Sequence, residues 1–275
     1  MKMKKLVSLG MAMVLSLGLV ACGNGGGGEE SSEAADKLDA VKESGKLVVA
    51  MSADYPPFEF HSTKDGADKI AGVDADLANA VAKEIGVDVE FKEMTFDGLV
   101  GALKADKVDM VISGMSPSPE RKKNVDFSDV YYTGKNVLIV REGEEDKITS
   151  EDQVKSMKVE AQKGSIQETY ANKIGCTGLK SLESVPDLMM ELKNGNVDAV
   201  IVNDTVGLIN INQIDGIALS SFNLPEGDAE ESMAIAVKKG NNTAYLEAIN
   251  KAVKDFVAND LQKSLEDNSA LAAQE

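Results

Sequence analysis

At 275 residues, 43% of them hydrophobic and 27% charged, the chain is long enough for one large or two medium domains with real cores. A net charge of −17 argues against nucleic acid and against a polybasic membrane contact. The one histidine, His61 in a loop, makes a Ser-His-Asp catalyst implausible, and no GxxxxGK[ST], HExxH, CxxC or GxSxG is present.

Lys2, Lys4 and Lys5 precede an apolar run to Ala21, which reads as a secretory signal over 1–21 rather than a retained membrane helix. The run ends Leu19-Val20-Ala21-Cys22, which resembles a bacterial lipobox and implies a lipid on the Cys22 thiol. That leaves Cys176 alone as a packed or half-buried side chain, with no disulfide expected. Residues 22–36, rich in Gly, Ser and Glu, read as a flexible tether.

From there the chain alternates. Residues 36–44 read as a helix stopped by Gly45, and Lys46–Met51 as a first core strand. The loop 52–60 holds Tyr55 and Phe58 beside Pro56 and Pro57, with Asp54 and Glu59 either facing solvent or selecting a cationic side chain. Asp65-Gly66 marks a hairpin turn, and Asp74 should cap a helix ended by Gly86. A strand over 87–94, a turn around Phe96 and a helix over 99–104 lead to a β-branched strand, 108–112, and a small-residue loop, 113–116. Ser118-Pro119 then starts a helix that carries Arg121 in its first turn, where a cation suits an anionic partner better than the helix dipole. Strand-like stretches follow at 125–132, 135–141, 158–162, 179–182, 197–202, 217–222 and 232–238. Helices are expected to end near 157, to run from Ser165 to Ile174 and from Ser184 to Gly195, and to cover 205–214 and 243–264, with a frayed tail. The Met189–Met190 pair reads as core.

The segment 103–113 is echoed by 192–203, each a helix end, a tight turn and a buried strand. Arg121 follows the first and Asp204 the second, so two halves of similar build could grip a zwitterion between them. The alternation predicts an α/β fold of two lobes, 37–134 with 237–275 and 135–236, each a mostly parallel sheet flanked by helices and joined by two crossing strands.

The stretches ADYPPFEF (53–60), AGVDADLANAVAKEIGVDVEF (71–91), DMVISGMSPSPERKKNVDFSDVYY (109–132), AQKGSIQE (161–168) and NGNVDAVIVND (194–204) resemble the bacterial family 3 solute-binding proteins, receptors of ABC importers for polar amino acids. The resemblance implies the type II periplasmic-binding fold. It also implies that Arg121 holds a ligand carboxylate, Asp204 its ammonium, and Tyr55 and Phe96 its side chain. Ser113, Gly114, Ser116, Gln162, Ser165, Ile166 and Gln167 would complete the pocket, with Ile166 where a Thr is often found. The function it implies is a lipid-anchored receptor outside the cytoplasmic membrane, monomeric, binding a free polar or cationic amino acid and meeting the importer's permease subunits. No catalytic residue, metal or cofactor is expected. The rival readings are a cyclohexadienyl-dehydratase-like lyase with Glu59 or Asp54 as its acid, and a ligand-sensing or adhesion lipoprotein.

Overall fold

The computed structural model describes residues 36–64, 66–225, 227 and 230–275. The signal, the tether, Cys22 and Asp65 of the expected turn lie outside the described residues. Local signals set many of the element ends. Helix α1 (Lys37–Ser44) starts where the Asp36 carboxylate accepts from the Leu38 N–H and stops at Gly45 in the left-handed region. Strands β1 (Lys46–Met51), β2 (Asp54–Tyr55), β3 (Glu59–Ser62) and β4 (Lys69–Ala71) follow, then α2 (Val73–Ile85), β5 (Asp88–Glu93), α3 (Leu99–Lys104), β6 (Met110–Val111), α4 (Pro119–Lys122) and β7 (Val125–Arg141). Next come α5 (Glu151–Ser156), β8 (Val159–Gln162), α6 (Ile166–Ile174), β9 (Lys180–Leu182), α7 (Val185–Lys193), β10 (Ala199–Asn203) and α8 (Asp204–Gln213). The chain closes with β11 (Ile217–Leu219), β12 (Glu230–Lys238), α9 (Thr243–Asn259) and α10 (Leu261–Ala272).

One curled sheet runs in the order β5-β1-β6-β12-β7-β10-β8-β9, with β11 also on β7, and a small sheet holds β2-β3-β4. Its first section is built on β1, parallel to β5 and β6. Its second is built on β8, parallel to β10 and β9. Antiparallel strands join them: β12 lies along the first half of β7 from Glu230↔Lys135 to Lys238↔Val125, while Asn136–Ile139 of β7 pair with β10. Helices cover both faces. Leu99, Leu103 and Met115 pack on one face of the first section, Val154 and Tyr170 on one face of the second. On the other face a single core passes from Leu77, Val81 and Ile249 through Tyr55, Phe58 and Tyr131 to Val185, Leu188 and Val206.

Several expectations change. Residues 125–141 form one 17-residue strand rather than two. Gly72, not Asp74, takes the N-cap of α2. A Cβ at Gly72 would lie 2.0 Å from the Phe58 carbonyl oxygen, so only glycine lets the helix start dock there, at φ 126°. Asp74 then turns inward. The expected last helix breaks at Asp260, and the tail, instead of fraying, docks as α10. Ala272 packs with Phe60 and Ile209, and Asp76 accepts from Ser264 Oγ (2.6 Å) and Asn268 Nδ2 (2.9 Å). Met189 is core, but Met190 is 44% exposed.

Candidate functional site

The first wall is the loop after β6. The Ser113 hydroxyl accepts from the Ser52 N–H (3.0 Å) and donates to Glu59 Oε1 (2.7 Å), while the Gly114 N–H donates to Asp74 Oδ2 (2.7 Å). Gly114 has φ 48°, and a Cβ there would come within 3.2 Å of the Tyr55 ring. Ser118 caps α4 by accepting from the Arg121 N–H, with Pro119 in the first helical position. The Arg121 guanidinium therefore points back along the loop, its Nη1 donating to the Ser116 carbonyl (2.8 Å) and its carbon 5.2 Å from the centre of the Phe96 ring. Ser116 Oγ is buried and accepts or donates no hydrogen bond within the protein.

The second wall comes from β8, α6, β10 and the start of β12. Ser165 caps α6 by accepting from the Glu168 N–H (3.0 Å), so its hydroxyl is committed to the helix; Ile166 is half-buried beside it. Gln167 Nε2 donates to Asn136 Oδ1 (2.7 Å) and Glu231 Oε1 (3.0 Å), and Asn203 Nδ2 donates to Glu231 Oε2 (2.9 Å). Asp204 accepts from the Thr205 N–H (2.9 Å) and the Lys135 N–H (3.4 Å) where β7 passes. Gly134 permits this approach, since a Cβ there would meet Asn203 Nδ2 at 2.7 Å.

Five contacts close one wall on the other. The Asn203 N–H donates to Tyr55 Oη (3.2 Å) and Arg121 Nη2 to the Gly164 carbonyl (2.9 Å). Gln162 Nε2 and the Val185 N–H both donate to the Asp54 carboxylate at 3.1–3.2 Å. Lys163 pairs with Asp97 at 2.8 Å.

Burial dominates the electrostatics of this seam. It pushes the Asp54 carboxyl up to about 6 and the Glu231 carboxyl up to about 7, against the amide donors that favour their charged forms. Burial also brings the Arg121 guanidinium down to about 10, which leaves it charged at neutral pH. Both Arg121, which lowers it, and Asp204, which raises it, act on the Glu231 carboxyl, so Glu231 feels the charges of both groups expected to grip a zwitterion.

The sequence-predicted residues fall into three cavities and a buried set. Arg121 and Phe96 line one of about 190 Å³ with Gly164. Ser116 and Ile166 line a second of about 490 Å³. Asp204 lines a third of about 730 Å³ with Tyr132 and Lys135. Tyr55, Ser113, Gln162, Ser165 and Gln167 are buried in or behind the seam. Arg121 and Asp204 thus line different cavities, and the charges of both act on the Glu231 carboxyl. Sequence reasoning missed Glu231, Asn203 and Asn136. A signal for Glu231 existed: extending the alternation of Met233, Ile235 and Val237 back by two puts it on the same inward face. Among the described residues no cluster of three or more His, Cys, Asp or Glu could hold a metal, and no helix is long and apolar enough to cross a membrane.

Comparison with known proteins places this geometry. Residues 47–268 match the family model for bacterial extracellular solute-binding proteins, family 3. The arginine-binding extracellular protein ArtP of Bacillus subtilis is 38% identical over 94% of both chains. The ABC transporter glutamine-binding protein GlnH of the same organism is 32% identical over 92% of this chain and 91% of its own. The crystal structure of the amino acid ABC transporter substrate-binding protein AbpA from Streptococcus pneumoniae, bound to L-arginine, superposes with a TM-score of 0.81 at 37% identity, covering 86% of this chain and all of that one.

Proposed function

Because the chain belongs to the bacterial extracellular solute-binding proteins, family 3, we propose that its cleft captures a free amino acid for an ABC importer, and that the ligand is cationic, with arginine preferred. The observation that carries the cationic reading is the charge of the seam. Asp54, half-buried, and Glu231, buried, are carboxyls held by amide donors, and Arg121 is the cation that acts on Glu231. A ligand bringing an ammonium and a guanidinium with one carboxylate supplies the positive charge these groups lack. The similarity to ArtP, and to AbpA crystallised with L-arginine, supports the same choice.

In this reading Arg121 exchanges its carbonyl partners for the ligand carboxylate, which a planar fork binds through two parallel hydrogen bonds. Asp204 and Glu231 take the ammonium. Tyr55 and Phe96 flank the side chain, and Asp54 with Gln162 receives its charged end. Ser113, Gly114 and Ser116 serve from one lobe; Ser165, Ile166 and Gln167 serve from the other. The lobes, 37–134 with 237–275 and 135–236, hinge where Glu230–Ser232 run beside Thr133–Lys135, and entry breaks the five closing contacts. A lipid on Cys22 would tether the monomeric receptor outside the membrane, within reach of the permease subunits. The matched family and the relatives named above are binding proteins, so the lyase reading is not favoured.

A thermal-shift screen of the mature chain against the common amino acids and ornithine tests this. Arginine at a hundred times its dissociation constant should stabilise the fold by about 2.7 kcal/mol, with lysine and ornithine next. Arg121→Ala should abolish the shift. A larger shift with a neutral or acidic amino acid, or no shift at all, would overturn the proposal.

A further inference from the structure

Behind the cleft, four elements bring two carboxyl groups together. Glu59 begins β3 and is 1% exposed; Asp74 lies in the first turn of α2 and is fully buried. The close docking of Gly72 on Phe58 forces them together, with the Asp74 N–H donating to the Phe58 carbonyl (2.8 Å). Asp74 accepts from the Gly114 N–H (2.7 Å) and from the Tyr131 hydroxyl on β7 (2.8 Å). Glu59 Oε1 accepts from Ser113 (2.7 Å), but its Oε2 receives no N–H or hydroxyl although it is buried. Beside it is Asp74: the chain neighbours Ser113 and Gly114 hold one carboxyl each, and after burial the Asp74 charge does most to raise the Glu59 carboxyl. Two carboxylates cannot hydrogen-bond each other; one must carry a proton. The oxygen without a donor is where that proton belongs.

We propose that Glu59 and Asp74 share a single proton, and that this acid–carboxylate pair is the positioning device for the Ser113–Gly114 turn that borders the cleft. Glu59, neutral, donates from Oε2 to the Asp74 carboxylate, which is then oriented to hold the Gly114 N–H. Ser113 is held from the other Glu59 oxygen. The turn's two residues are thus fixed by one unit whose members come from β3 and α2, and Tyr131 ties that unit to the strand that crosses between the lobes.

The surroundings favour retention of the proton. The charged and titratable groups acting on Glu59 are Asp74 and, from β2, Asp54. Tyr131 on β7 and Tyr55 on β2 feel Glu59 and are themselves pushed up by burial. Glu231 on β12 adds further negative charge at Tyr131 and Tyr55. Burial and like charge both push the Glu59 carboxyl well above the ordinary carboxylate range. The role assigned to the turn rests on the amino-acid-binding reading; the shared proton does not.

The test separates the two. Infrared difference spectra at pH 8 between the parent and Glu59→Gln should show the carbonyl stretch of a neutral carboxyl group in the parent that the variant lacks. Its absence from the parent means that both groups are ionised and overturns the proposal, whatever the protein binds. Glu59→Gln keeps a donor to Asp74, whereas Glu59→Leu removes it. Hydrogen exchange at the Gly114 amide should therefore be at least about tenfold faster in Glu59→Leu than in Glu59→Gln, and arginine affinity at least about tenfold weaker, with Glu59→Gln within threefold of the parent. Equal Gly114 exchange in the two variants would refute the positioning role. If Glu59→Leu does not fold, the infrared band and the Gly114 amide in Glu59→Gln decide: loss of protection there, with a donor retained, also refutes it.

Discussion

Glu231 illustrates how one side chain can matter more than its place in the sequence suggests. It pairs across from Gly134 at the crossing of β7 and β12, and two amide donors are not enough to offset its burial. Its carboxyl sits near 7 in the fold against an ordinary 4.5, so between those values the folded protein holds a proton that the unfolded chain releases. The stability this proton contributes is fully present below about pH 4.5 and is lost as pH rises through 7. Glu231→Gln, neutral at every pH, should be more stable than the parent at pH 8 by roughly 1–3 kcal/mol and no more stable at pH 4.5. Urea unfolding at the two pH values measures the difference; equal stabilities at pH 8 would mean that the carboxylate carries no burial penalty.

Helix α10 is pinned at Ser264 and Asn268 by one acid seated far away in the chain. Asp76, in the first turn of α2, receives Ser264 and Asn268 from the far end of the protein. Asp76→Ala leaves two buried donors unpaired, which should cost roughly 1–3 kcal/mol. Hydrogen exchange should quicken across 261–272 while β1 amides stay protected; uniform loss of protection would show that α10 is not a separate unit. The same comparison explains which elements were legible in advance. The starts of α4 and α6 were, because Ser118-Pro119 and Ser165 act within one turn of themselves. The break at Asp260 was not, since neither glycine nor proline marks it and the partner of α10 lies more than a hundred residues away. Asp74 misled for a related reason. It looks like a cap until Phe58 claims the space beside Gly72. At the seam, Arg121 and Asp204 were singled out from the resemblance, whereas Glu231, whose carboxyl feels both, is placed there by a strand pairing that no local turn or cap announces.

The acids of the seam also act together. Burial raises Asp54 and Asp74 to about 6 and Glu231 to about 7, and Glu59 further. Asp54, Glu59 and Glu231 hold protons in the fold that they would lose when unfolded, and Asp74 holds one only at the acid end of the range, so the ligand-free protein should lose stability from pH 5 to pH 8. A cationic ligand beside Asp54 and Glu231 favours their charged forms and should drive protons off as it binds. Calorimetry of arginine binding at pH 6.5, in two buffers with different heats of ionisation, should give enthalpies that differ in the sense of proton release; identical enthalpies would contradict the coupling.

The place of β12 between β6 and β7 has a bearing on how the chain is made. A polypeptide emerging N-terminus first contains β1, β5, β6 and β7 long before residues 230–238 arrive to fill the gap at their centre. Until then β6 and β7, which are not neighbours in the sheet, lack the strand that pairs with both. The strand that joins the two sections of the sheet is thus among the last of its strands to be made.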